Sequence, residues 1–117
     1  MELCEFLDSK KDIDEKILLI GIIGALVSLK NRSITIDEAE SFLFSPRNTR
    51  FLTNLNCDAS ILDLIENGCL LENFESLIPD ELDPEIDHMI EEALSLLKNY
   101  PQYTREHWVK GLDIIQK

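Results

Sequence analysis

Along most of this chain apolar residues recur three and four positions apart, a period that predicts helices. The clearest case follows Asp83-Pro84, a capping side chain and then a proline suited to a first helical turn. Ile86, Met89, Ile90, Ala93, Leu94 and Leu97 make one continuous stripe there. Glu85, Asp87, His88, Glu91 and Glu92 fall off it and are expected to face water, the first-turn acids also suiting the helix dipole.

The same logic predicts the other elements. Asp8 or Ser9 can cap a first helix running to about Lys30, built on the apolar run Ile17–Leu29. That run is charge-free on all sides, so the helix (about 9–30) is expected to lie at the centre, with Gly21 and Gly24 admitting a close neighbour. Asn31-Arg32 is a turn, and Ser33–Ile36 could be briefly extended. Thr35 with Glu38 fits a capping box, in which each side chain bonds the other's free backbone N–H. It opens a short helix holding Ala39, Phe42 and Leu43. Ser45-Pro46 starts the next, with Phe51, Leu52 and Leu55. Asp58 caps another that Gly68 is expected to end in a left-handed conformation. Leu70–Leu77 is a further short helix stopped by Pro79. Thr104 caps a last one with Trp108, Leu112 and Ile115 on one face. The expectation is an all-α fold: one helical domain over residues 1–117, a compact bundle of six or seven helices around the central one.

Composition agrees: 117 residues, 44% hydrophobic and 29% charged, suit a globular chain with its own core. Charge changes the picture more. The net charge is −12 and it is segregated. Residues 1–50 carry nine acids and seven bases, residues 51–97 twelve acids and no base, and residues 98–117 two acids and four bases. A charge run is ordinarily just a solvated face. Here, however, Glu91 and Glu92 stand side by side with Asp87 four back from Glu91, a spacing that costs a few tenths of a kcal/mol per like-charge pair. Such a surface attracts cations or a basic partner and repels nucleic acid.

No catalytic signature appears, and the chain is not expected to be an enzyme. Glu85-x-x-His88 has the spacing of a metal-binding helix, but His107 has Thr104 in place of the second glutamate. Asp80–Asp87 departs from a calcium loop, with Glu85 where glycine is needed and Pro84 inside it. No metal and no cofactor is expected. Cys4, Cys57 and Cys69 are odd in number, lack a CxxC and read as reduced thiols of a cytoplasmic protein. The 13-residue apolar run falls short of the roughly 20 residues a membrane helix needs.

A short, strongly acidic helical chain of this kind resembles the immunity proteins of bacterial toxin–immunity pairs, including those of contact-dependent growth inhibition. The segments ITIDEAESFLFSP, Ile34–Pro46, and LENFESLIPDEL, Leu71–Leu82, also resemble a family of small acidic uncharacterised bacterial proteins. The first resemblance implies an inhibitor that covers the active site of a basic toxin, a nuclease such as an RNase. The stretch Glu72–Ala93 would supply the charge through Glu72, Glu75, Asp80, Glu81, Asp83, Glu85, Asp87, Glu91 and Glu92. Phe74, Leu77 and Ile78 would supply apolar anchors, because charges at a rim set rate more than affinity. The alternative is an acidic regulatory or adaptor module with no toxin partner.

Overall fold

Capping chemistry sets most of the helix starts. The computed structural model describes residues 14–102, where every regular element is helical and none is a strand. Helix α1 spans Glu15–Lys30, α2 Ile36–Phe42, α3 Pro46–Asn54, α4 Ala59–Cys69, α5 Leu71–Leu77 and α6 Leu82–Leu97, with a 3-10 turn at Pro79–Glu81 before α6. Four of these helices, α1, α3, α4 and α6, run nine residues or more. The final helix expected from Thr104, with Trp108, Leu112 and Ile115, lies outside the described residues, as does the start expected at Asp8 or Ser9.

Three predicted caps are in place. The Thr35 hydroxyl accepts from the Glu38 backbone at 3.1 Å, and the Thr35 backbone donates to the Glu38 carboxylate at 3.0 Å, completing the capping box of α2. Ser45 accepts from the Asn48 backbone at 3.3 Å ahead of Pro46. Asp58 accepts from the Ser60 backbone at 3.0 Å and opens α4.

Several expectations about helix bounds and burial need correction, among them the close neighbour expected at Gly21 and Gly24, which face open space. The first helix is not continuous over 9–30: Asp14 is its N-cap, extended at φ −93° and ψ 96°, and its carboxylate accepts from the Ile17 backbone. Nor is α1 buried on nearly all sides. Leu18, Leu19, Ile22, Ala25, Leu26 and Leu29 form its inner face, whereas Ile20 and Val27 stay 43% and 41% exposed. A charge-free run leaves the packing face unspecified, and neighbours occupy only one strip of it. Gly68 does not terminate α4, which continues to Cys69 with no left-handed glycine. Finally, α6 begins at Leu82 rather than after Asp83, because the 3-10 turn winds directly into it without a side-chain cap. Pro84 then sits within the first turn, where its missing N–H leaves no bond unmade.

The main packing pair is α1 against α6, which run antiparallel, and α3 packs on α4. Ile86, Met89 and Ala93 of α6 meet the inner face of α1 in one buried cluster with Ile61, Leu64 and Ile65 of α4 and Leu43, Phe44 and Leu52. Leu94, expected on the buried stripe, is 43% exposed. At one end Glu15 ties three elements: it accepts from the Asp58 backbone at 2.7 Å and from the Tyr100 hydroxyl at 3.0 Å. At the other end Arg32, with a left-handed backbone at φ 60°, donates to the Leu29 carbonyl at 3.0 Å and reaches α6. Among the described residues no helix is long and apolar enough to cross a membrane.

Candidate partner-binding surface

The acids of residues 72–92 ride on three elements. Glu72 and Glu75 come from α5, Asp80 and Glu81 from the 3-10 turn, and Asp83, Glu85, Asp87, Glu91 and Glu92 from α6. Glu72, Glu75, Asp80, Glu81, Asp83, Glu91 and Glu92 are exposed, whereas Glu85 and Asp87 are half-buried. They do not form one uniform face. A helix turns about 100° per residue, so Asp83 and Asp87 line one flank of α6 while Glu85 and Glu92 line the other.

The flank toward α1 is neutralised. Lys30 pairs with Asp87 at 2.5 Å and Arg32 with Asp83 at 3.1 Å. The Lys30 amine is held above its ordinary range, first by the hydrogen bond it donates to Asp87 and then by the charge of that carboxylate. On the far flank His88 Nε2 lies 2.9 Å from the Glu92 carboxylate, one turn along. For Glu72, Glu75, Asp80, Glu81, Glu85 and Glu91 no cationic side chain stands within ion-pair distance among the described residues.

Sequence reasoning missed the acids that join them. Glu40 of α2 faces Glu72, with Asp37 and Glu75 close enough to act on it. Its carboxyl is held above the ordinary glutamate range, first by burial and then by sharing a hydrogen with Glu72. Its Oε1 is shielded from solvent without a donor. The signal was available: Glu40 follows the buried Ile36 by four and Ala39 by one, so the capping box that phases α2 turns it inward.

At the bend between α5 and the 3-10 turn, Leu77 is 77% exposed and Ile78 50%. Glu72 and Glu75 precede them and Asp80 and Glu81 follow. Phe74, the third expected anchor, is half-buried and packs against the core. The bend thus offers two open apolar side chains between two pairs of unneutralised carboxylates.

The thiols are poorly placed for chemistry. Cys57 is pushed up to about 12, first by burial and then by Glu15 and Asp58. Cys69 is raised by burial and by Glu40 and Glu66. Both are held as neutral thiols, and the thiolate is the reactive form. Cys4 and His107 lie outside the described residues. Among the described residues no three His, Cys, Asp or Glu side chains converge to hold a metal ion.

The described residues form an all-helical fold with an acidic, partly apolar exposed surface. The chain belongs to the family described as Protein of unknown function (DUF3969), whose model matches residues 8–110. No curated protein and no solved structure matches it.

Proposed function

We propose that this chain is an immunity-type inhibitor that binds a basic toxin, a nuclease such as an RNase, and covers its active site in the cytoplasm. The observation that carries the reading is the bend at Leu77-Ile78, where exposed apolar side chains stand between Glu72, Glu75, Asp80 and Glu81, none with a cation partner among the described residues. A nuclease must be cationic to hold phosphates, so an inhibitor gains by presenting carboxylates in their place. Opposite charge steers encounter, and the apolar pair anchors the complex once formed. Glu91 and Glu92 extend the field outward on α6, and Asp83, Glu85 and Asp87 contribute less because they are paired or half-buried. No metal, cofactor or catalytic residue enters this activity. The finer architecture that goes with it is one domain of six or seven helices.

The test uses the product of the reading frame adjoining this gene. Expressed alone it should arrest growth, and co-expression of this chain should relieve the arrest. Replacing Glu72, Glu75, Asp80 and Glu81 together by lysine should slow association by about 10- to 1,000-fold, with the helical circular dichroism unchanged. Relief that survives those four reversals would remove the proposal. A neighbour that is harmless yet binds the same face would favour the adaptor role.

A further inference from the structure

One contact between acids joins α2 to α5, the helix that leads into the Leu77 bend. Glu40 of α2 meets Glu72 of α5 carboxyl to carboxyl. One oxygen of Glu40, Oε1, is shut off from solvent and accepts no hydrogen bond among the described residues. The groups that face Glu40 are Asp37 on its own helix, Glu72 and Glu75 on α5, and Cys69 at the end of α4, on which Glu66 also acts. None of these is a cation. Two ionised carboxylates at such a contact repel, whereas one proton shared between them makes a strong hydrogen bond.

The element on the far side of this contact is weakly held by anything else. Helix α5 has seven residues and starts without a side-chain cap. Leu71 is its one buried residue and Phe74 is half-buried, while Glu72, Asn73, Glu75, Ser76 and Leu77 are exposed. A helix so short does not hold itself in water and opens at low cost unless its neighbours secure it. The bend hangs from its end, where the Ile78 backbone donates to the Phe74 carbonyl at 3.0 Å. We propose that the Glu40–Glu72 pair is a proton-operated latch: with one proton shared it holds α5 against α2, and with that proton gone it lets α5 and the Leu77 bend loosen. Burial first, and then Glu72, hold the Glu40 carboxyl above its ordinary 4.5. The folded chain therefore keeps this proton at 4.5, and the latch releases as pH rises through the raised value. Acid firms the bend and neutral pH frees it.

Amide hydrogen exchange of the full chain tests the latch, read as protection after correction for the intrinsic pH dependence of exchange. From about pH 4.5 to about pH 7.5 the protection of residues 75–78 should fall several-fold relative to that of residues 89–93 in α6. Glu40→Gln and Glu72→Gln each put an amide that donates at any pH in place of the shared proton, so each should hold α5 at its acid-side protection throughout. Glu75→Gln, beside the pair, should leave the fall in place. If one glutamine variant of the pair fails to fold, the other decides. Protection in α5 that tracks α6 over the whole range would overturn the latch. So would a fall that survives both Glu40→Gln and Glu72→Gln, or one that Glu75→Gln abolishes as fully, since the titrating group would then lie outside the pair. Control of binding by the latch rests on the partner-binding reading, but the exchange measurement needs no partner, so the two fail separately.

Discussion

A Cβ on Gly68 would collide with the ring of Phe44, which is itself 1% exposed. Gly68→Ala should therefore destabilise the chain by roughly 1–3 kcal/mol in urea unfolding, despite the better helix propensity of alanine. Gly21 and Gly24 meet open space, so Gly21→Ala and Gly24→Ala should each stabilise α1 by about 0.5–1 kcal/mol. The sequence places three glycines within apolar helices but cannot say which one another side chain presses on. That depends on Phe44, which arrives from a loop after α2. Glu40 gives a second residue-scale prediction. Its ordinary value is 4.5, and the folded chain raises it by burial and by Glu72. The folded state thus binds this proton more tightly than the unfolded chain does. Its contribution is fully present below 4.5 and is lost as pH rises through the raised value, so at neutral pH ionised Glu40 is a cost. Glu40→Gln should raise the melting temperature at pH 7.5, and the gain should shrink as the buffer is taken down toward 4.5. An equal gain at both ends would show that Glu40 is not held above the ordinary glutamate range.

Three helix starts were legible because a cap is a local interaction between neighbouring residues: Thr35 with Glu38, Ser45 before Pro46, Asp58 before α4; the starts of α1 and α6 were misplaced. Contacts between elements that close a helix from a distance are harder to read. The α2–α3 junction shows this. Asn48 is 1% exposed, and its Nδ2 donates to the carbonyls of Phe42 at 3.2 Å and Leu43 at 3.0 Å, satisfying the last turn of α2 from the first turn of α3. Nothing in the pattern singles out an asparagine at that position. Its Oδ1 makes no hydrogen bond among the described residues, so the two donated bonds are what ties the junction. Asn48→Ala would leave the Phe42 and Leu43 carbonyls, the second of them buried, with one partner fewer and should cost about 1–3 kcal/mol by urea titration. Asn48→Asp should cost more, because a carboxylate cannot donate to them. A loss under half a kcal/mol in either variant would mean that solvent reaches the junction.

For the whole molecule, the separation of charge along the chain was read correctly and its distribution in space only in part. The base-free stretch 51–97 is base-free only in sequence, since Lys30 and Arg32 at the end of α1 fold onto Asp87 and Asp83. What remains is a molecule of net charge −12 whose unpaired acids repel one another. Salt acts on both effects with opposite sign. Raising ionic strength from about 0.01 to 0.15 M shortens the screening length from about 30 to 8 Å, which relieves repulsion across the surface. The same salt weakens the exposed pairs of Lys30 with Asp87 and Arg32 with Asp83. With 23 acids against 11 bases, repulsion should win. The melting temperature should therefore climb as sodium chloride is added over that range. Lys30→Met should steepen the climb, because it removes the one opposing effect at Asp87 and adds an unpaired carboxylate to α6. A melting temperature that falls with salt would mean that the pairs at the α1–α6 end outweigh the surface field, and with it the view of the acidic face as a source of long-range attraction for a basic protein.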